Sequence, residues 1–512
     1  MKDFLAKRLD YLFRSTRGLT LVAIAAVSLV TAIWGTLSGP MVEWGVRDIT
    51  VKILGLDLVQ AEREGRVIML YHTIAMSIVA IEVYFMTEML PMKRHEQVTI
   101  NATTTVGYLT ALIFGMGFAY FGHNFVFHGL FLVGQSLLFF AGILLAAALN
   151  PWKKEYRIAV DSPYAHTKKG IDLERVAFFT MAVATLLSAT FGAVTGSYWG
   201  NGHETFLGED LIREPHKTEL QKAIIGHLHI MLTLIAVAIT LIVGRWMKFQ
   251  GLLHRIAMPL MIVGTIVITM GALSVVWLPW AHTTIYFGSV FVMLAALLYV
   301  IFTWDKLIKE GTAEIEKPNF FQKMGALLRD PLKFGPGWQM VFMNFTVSGV
   351  GIFMAVKLDE IFRVWPHREE RITLTGHWHI LASLIATIIL FYFMDLSKVQ
   401  GKARKWAGWT IIIMSDLAFA SATIFSMKRL FVAESEQQSL VNTIMLLMDM
   451  GLGIVLVVLA MFLLWRLYDL FKDKGYWTEE FKAEKKLNAV AELDEQKRKI
   501  AELEAALKEV EK

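Results

Sequence analysis

Two His-x-His pairs lie within apolar stretches of this 512-residue chain. The first is His227 and His229 in GHLHIML, and the second is His377 and His379 in GHWHILA. A single histidine, His72 in YHTIAMS, lies in a third apolar stretch. An ionisable ring in hydrocarbon costs free energy, so a histidine inside a membrane segment indicates a functional site. The neutral imidazole ring is a common metal ligand, which makes metal binding the first chemistry to consider.

The spacing within each pair limits how the two rings can be used. Residues i and i+2 of an α-helix are about 200° apart around the helix axis, because one turn holds 3.6 residues. The two imidazoles of a pair therefore face opposite sides of their helix and can serve two different cofactors. Heme iron is one group that takes such axial histidine ligands.

Composition places these histidines in a membrane protein and narrows the redox chemistry. The chain is 55% hydrophobic and 19% charged, with a mean hydropathy of +0.50, and its charges lie in short clusters between long apolar runs. We expect membrane lipid, and not nucleic acid, as its surroundings. The chain has no cysteine. This excludes covalently attached heme, iron–sulfur clusters, thiolate copper sites and disulfides within the chain, so histidine, methionine or carboxylates must hold any redox centre.

The apolar runs predict an all-α, polytopic membrane protein with twelve transmembrane helices. These spans lie near residues 19–39, 68–91, 105–122, 127–149, 173–197, 222–244, 256–278, 283–304, 337–357, 374–395, 406–427 and 441–466. With the N-terminus inside and the C-terminal tail left out of the count, about 25 Lys and Arg lie on the inner side and about 13 on the outer side. This bias predicts a multi-pass protein of a bacterial or archaeal inner (cytoplasmic) membrane, with both termini in the cytoplasm.

Composition changes after about residue 470, which divides the chain into a membrane domain (1–470) and a charged cytoplasmic tail (471–512). The tail is rich in helix formers and carries a short amphipathic stripe. The stripe consists of Val490, Leu493, Ile500, Leu503, Leu507 and Val510. We expect a cytoplasmic helix, which is either a short coiled coil with a partner or a solvated extension.

The five membrane histidines share one depth. In the predicted topology the second, sixth and tenth spans run from outside to inside, and each carries its histidines within one or two turns of the outer surface. A ligand helix thus recurs every four spans. This recurrence predicts three pseudo-symmetric four-helix units, each with one ligand helix.

At this point the chain resembles a known family, subunit I of the heme-copper oxidase superfamily, which includes cytochrome oxidase and the nitric oxide reductase large subunit. The resemblance rests on twelve spans and on a histidine at the start of the second, in HTIAMSIVAIEVYF. It also rests on the His-Leu at His227 and Leu228 in the sixth span and on the His-x-His pair in the tenth. It covers about residues 15–470.

The resemblance implies roles for individual residues. His72 and His379 would be the axial ligands of one low-spin heme b, and His377 would hold a second heme. A basic pair after the eleventh span binds heme propionates in the family, and Lys428 and Arg429 lie at the matching place. Charge-assisted bonds to carboxylates suit that role, and an ordinary interfacial basic pair is the alternative.

The chain departs from the family where a second, non-heme metal would be held. The family's adjacent histidines of the seventh span would fall near Ser274 and Val275, and that span has neither histidine nor carboxylate. His282 is the only histidine nearby. Without this metal, either His227 or His229 can approach the second heme as its sixth ligand. Six-coordinate iron has no open position for dioxygen or nitric oxide.

We therefore expect a heme b-containing electron-transfer subunit of a respiratory complex, with two low-spin hemes. It would exchange electrons with a quinone or with another redox subunit, such as a cytochrome c or an iron–sulfur protein. One alternative is an active terminal oxidase or nitric oxide reductase whose second metal uses His282 with His227 or His229. Another is a twelve-helix secondary transporter.

Three carboxylates also lie within predicted spans: Glu82, Asp416 and Asp449. Each is explained by a proton path, a quinone site or a helix–helix hydrogen bond.

Overall fold

The computed structural model describes residues 2–38, 45–56, 63–121, 125–164, 167–196, 219–278 and 280–510, and within these ranges it contains helices and no strand. Helices are what apolar segments of this length form in a membrane, because every backbone N–H and C=O must be bonded within the segment. Eleven helices of the described part are long and apolar enough to cross a membrane. The prediction of a polytopic helical membrane protein is therefore confirmed.

The predicted count of twelve spans stays a prediction. The second predicted span, 68–91, corresponds to a helix at Arg63–Met89 that is not among the eleven. The ninth predicted span, 337–357, falls on a composite element. It begins as an α-helix at Pro331–Phe342, becomes π-helical at Met343–Gly349 and returns to α-helix at Val350–Val356.

The chain divides into two compact units. Unit 1 comprises Met1–Leu58, Met69–Leu149 and Leu463–Lys512, and unit 2 comprises Val59–Ile68 and Asn150–Phe462. The three pseudo-symmetric four-helix units, and the boundary near residue 470, rest on sequence alone and stay predictions.

Unit 1 contains the N-terminal helices and the C-terminal tail. Its helices are α1 (Lys2–Arg14), α2 (Thr16–Ser38), α3 (Val46–Leu54), most of α4 (Arg63–Met89), α5 (Arg94–Phe121), α6 (Phe125–Ala148), the end of α16 (Gln437–Phe471) and α17 (Tyr476–Val510). Helices α5 and α6 pack closely because Gly107 and Gly134 face each other's backbones. A Cβ at Gly107 would lie 2.9 Å from the backbone nitrogen of Leu138.

Unit 2 contains the two helices that carry the His-x-His pairs. Its helices are α7 (Leu173–Val194), α8 (Glu219–Trp246), α9 (Gly251–Ser274), α10 (Ala281–Gly311), α11 (Phe320–Leu327), α12 (Pro331–Phe342), α13 (Val350–Val356), α14 (His367–Leu396), α15 (Gly401–Phe431) and most of α16. The π-helical segment Met343–Gly349 joins α12 to α13.

Candidate functional site

Helices α8 and α14 contact each other at two levels. Near their N-terminal ends, the ring of His229 lies edge-on to Trp378, with centroids 5.6 Å apart. Near their C-terminal ends, Trp246 donates a hydrogen bond from Nε1 to Asp395 Oδ2 at 2.9 Å, and its ring lies 4.9 Å from that of Tyr392. The two helices thus run in the same direction, and their His-x-His pairs lie in one layer of unit 2.

The two pairs occupy equivalent places in a repeated hairpin. Helices α8 and α14 each end in a turn whose lysine has a left-handed backbone, Lys248 at φ 55° and Lys398 at φ 52°. A glycine with positive φ, Gly251 or Gly401, then begins the next helix. The number of residues from the first histidine to this lysine is the same in both hairpins. The two pairs therefore lie at the same distance along the helix from the turn that ends it.

A glycine precedes each pair and allows a close helix contact beside the histidines. A Cβ at Gly226 would lie 2.6 Å from the carbonyl oxygen of Ala272 on α9. A Cβ at Gly376 would overlap Oγ of Ser426 on α15. At Gly226 the close atom is backbone, so a larger residue there would push α9 away, whereas at Gly376 it would first displace the Ser426 hydroxyl. Both glycines therefore allow a neighbouring helix to lie close beside the histidines.

His227 faces α7. Its Nδ1 lies 3.0 Å from the carbonyl oxygen of Ser188 and 3.4 Å from Oγ of the same residue. A Cβ at Gly192 would come within 2.5 Å of the ring. A neutral imidazole that donates from Nδ1 to a carbonyl carries its lone pair on Nε2, the arrangement found in many histidine ligands.

His229, in contrast, faces α14, through its contact with Trp378. The sequence left open which of the two histidines approaches the tenth predicted span. In the structure His229 lies against that helix, while His227 contacts α7.

His377 lines a small cavity of about 10 Å³, about the size of one water molecule. A Cβ at Gly351 would lie 3.5 Å from Nε2 of His377, so this face of the ring borders α13. The π-helical segment contributes Thr346 to the wall, and apolar and hydroxyl side chains share the lining. The other lining residues are Val350, Thr373, Ile380, Thr423, Ser426 and Met427.

The other two predicted ligands lie in different units. His379 is exposed within unit 2, whereas His377 is half-buried, as expected for residues on opposite sides of a helix. His72 lies in α4 of unit 1, with its ring 6.4 Å from that of Phe131. The predicted pairing of His72 with His379 therefore joins residues of separate units and stays a prediction.

The predicted propionate-binding pair lies one turn from the His377 cavity. Lys428 is buried, forms an ion pair with Glu369 and lies 4.9 Å from the ring centroid of Phe425. Arg429 lies 3.7 Å from a carboxylate oxygen of Glu434. Both cations already contact carboxylates of the protein, and the propionate role stays a prediction.

The carboxylates of the predicted spans have different surroundings. Asp416 accepts a hydrogen bond of 2.7 Å from Trp338 Nε1 on a neighbouring helix, which matches the helix–helix alternative. The indole of Trp338 belongs to a stack of nearly parallel rings with Phe334 and Trp304. Glu82 is buried in unit 1, and its Oε1 has no hydrogen-bond partner among the described residues.

Sequence reasoning missed the residues that surround the histidines, namely Ser188, Gly192 and Trp378. The glycine before each His-x-His pair was a usable signal, because it recurs at the same place in both motifs. His282, the histidine of the alternative metal site, lies in the first turn of α10.

Within the described ranges, no three His, Asp or Glu side chains come together as a metal site. No protein-family model, curated protein or solved structure matches the chain.

Proposed function

We propose that this chain is a heme b-binding electron-transfer subunit of a respiratory complex, built like subunit I of the heme-copper oxidases. The observation that carries the proposal is the layer of unit 2 in which two His-x-His helices pack, with His229 against Trp378. Imidazoles placed in one layer of a helix bundle are the usual means of holding heme between helices. Histidines in a membrane interior are also costly unless they are used.

The donor set fits heme better than it fits a free metal ion. Four imidazoles of unit 2 lie in this layer, and apolar side chains such as Met427 and Val350 lie beside His377. Apolar walls suit a porphyrin, and imidazole nitrogens suit its iron. A porphyrin is many times larger than the cavity of about 10 Å³ beside His377, so α13 and α15 themselves would have to separate to admit it.

Individual residues then have distinct parts. His377 would help to hold one heme, with His229 or His227 as its partner, and His72 with His379 would hold the other. Ser188 orients the ring of His227 through the contact between its carbonyl oxygen and Nδ1, which makes Nε2 the nitrogen that would hold iron. Lys428 would exchange its contact with Glu369 for a propionate carboxylate. Bound heme would supply one-electron exchange at its iron.

The remaining parts of the proposal concern the surroundings of the chain. A subunit without cysteine passes electrons to and from other molecules, namely a quinone or a partner redox subunit such as a cytochrome c or an iron–sulfur protein. We place it in the cytoplasmic membrane of a bacterium or archaeon, with both termini in the cytoplasm, on the distribution of Lys and Arg.

Single substitutions test the ligand assignment. Full-length His377→Ala and His229→Ala proteins are purified from heme-replete cells, and heme per chain is measured as the pyridine hemochrome. We expect each variant to lose or weaken one heme while the other remains. His254→Phe is the matched control, because His254 is a fully buried histidine packed against Phe249 and outside both motifs. Equal heme loss in the control and in His377→Ala would show that the loss reflects unfolding and not ligation.

Carbon monoxide separates the alternative functions. If the absorption spectrum of the reduced, heme-loaded protein does not change when carbon monoxide is added, the result supports electron transfer through six-coordinate hemes. A shifted Soret band shows an open iron position and favours an active oxidase or nitric oxide reductase. A colourless protein favours a secondary transporter.

A further inference from the structure

The first turns of α17 are fixed to α1 and α16 by a buried polar cluster. Arg466, on α16, donates hydrogen bonds from Nη2 to Tyr11 Oη at 2.7 Å and to Glu480 Oε2 at 2.6 Å. Tyr11 in turn donates to Glu480 at 2.9 Å. Asp469 accepts from the first backbone amides of α17, including Trp477 N at 2.9 Å. These contacts of its first turns therefore set the direction in which α17 extends from α1 and α16.

Beyond these contacts the helix continues with large apolar residues on its surface. Among the described residues, α17 bonds to α2 through Glu484, which accepts from Thr16 N at 2.9 Å, and to α1 through Lys485, whose Nζ lies 3.2 Å from Asp10 Oδ2. Farther along, Leu493 is 50% exposed, Ile500 56% and Leu503 64%. Apolar side chains so exposed on a charged helix are typical of a face that pairs with another helix.

The spacing of these residues follows a heptad. Leu493, Ile500 and Leu507 take successive a positions, and Leu503 and Val510 take d positions. The a and d residues of a two-stranded coiled coil form its buried seam. Gln496 is the one polar residue at a d position between them.

The charges that flank this seam are complementary to a second copy of the same helix. In a parallel pair, each g residue faces the e residue of the following heptad on the partner helix. Glu492 at g then faces Lys497 at e, and Lys499 at g faces Glu504 at e. Both contacts pair opposite charges, and the symmetry of a homodimer forms each of them twice.

The membrane selects the parallel arrangement. Two copies with the same topology in one membrane send α17 out on the same side, with its N-terminal end at the bilayer. Their tails therefore point the same way. Anchoring in one bilayer also raises the effective concentration of the tails, which favours a seam of only about three heptads.

We propose that residues 490–510 of two copies of this chain form a parallel two-stranded coiled coil, so that the protein is a dimer in its membrane. The seam is formed by Leu493, Ile500 and Leu503 with the a and d residues that follow them. The inference is independent of heme binding and of the electron-transfer function.

Cysteine cross-linking tests the seam, because the natural chain has no cysteine. Full-length Leu503→Cys protein in native membranes is oxidised with copper phenanthroline and run on a non-reducing gel. We expect a disulfide-linked dimer, with Gln496→Cys as a second d-position variant. Ala491→Cys, at an f position, is the control and should cross-link at least tenfold more slowly. Equal rates at the three positions, or no dimer from either d-position variant, would overturn the proposal.

Charge reversal tests the pairing. Glu492→Lys or Lys497→Glu, each added to the Leu503→Cys chain, places like charges opposite each other and should reduce cross-linking several-fold. Co-expression of the two reversed chains under different tags restores opposite charges at both contacts, so the mixed dimer should exceed either homodimer. Cross-linking that does not respond to these reversals would contradict the proposed register, and a random mixture of tags would contradict the parallel pair.

Discussion

Replacing Gly376 by alanine should displace the Ser426 hydroxyl on α15, strain the contact of α14 with α15 and disturb His377. The added Cβ would overlap Oγ of Ser426, well inside the 3.0 Å that real Cβ atoms keep from other atoms. Ser426 can yield only by giving up the hydrogen bond that it donates to the carbonyl of Ala422 at 2.8 Å. Overpacking of this kind costs about 1–3 kcal/mol.

Two smaller effects nearly cancel in this variant. The lost hydrogen bond costs about 1 kcal/mol, and alanine in place of glycine in a helix contributes about 1 kcal/mol in the opposite direction. The free energy of unfolding should therefore fall by about 1–3 kcal/mol. If His377 holds a heme as proposed, the absorption of that heme should shift as well.

Matched variants give this prediction its control. Nothing lies within 4 Å of a Cβ added at Gly453 on α16, so Gly453→Ala should be neutral or stabilising. Removing the hydroxyl in the double variant Gly376→Ala/Ser426→Ala should recover most of the loss. Unfolding in detergent is followed by circular dichroism. If the free energy of unfolding of Gly376→Ala equals that of Gly453→Ala, then α14 and α15 do not pack as closely as described, and the position of His377 is also wrong.

Three further predictions concern stability. Burial raises the pKa of the Glu484 carboxyl, so the folded state holds its proton more tightly than the unfolded state, and stability should fall as pH rises from about 4.5 through the raised pKa. Glu484→Gln should flatten that slope in melting temperatures measured from pH 4 to 8, and an unchanged slope would refute the assignment. Arg466→Met leaves Glu480 buried without its main cation and should cost about 3–5 kcal/mol in chemical unfolding; Arg466→Met/Glu480→Leu should recover most of it. Trp246→Phe removes the bond to Asp395 and should cost about 1–2 kcal/mol, whereas a neutral result would show that this contact does not hold α8 to α14.

The sequence predicted the helices well because apolar length is a local property. Long apolar runs form helices wherever water is absent. Ten of the predicted spans overlap uninterrupted α-helices that are long and apolar enough to cross a membrane. The composite ninth span was less accessible. Hydropathy does not show where backbone hydrogen bonds change from α to π register, as they do at Met343–Gly349.

The sequence selects candidate histidines but does not show in which direction each side chain faces. Helix geometry places His227 and His229 on opposite faces, yet only tertiary packing decides which face meets α14. The bond from His227 to Ser188 and the ion pair of Lys428 with Glu369 join residues far apart in sequence. No local sequence pattern predicts either contact.

The central claim is that this protein holds two b-type hemes through its membrane histidines. The most direct measurement is the number of hemes per chain in the purified, full-length protein, by pyridine hemochrome against amino-acid analysis. We expect two low-spin b hemes per chain. A protein without a Soret band after expression in heme-replete cells would contradict the claim.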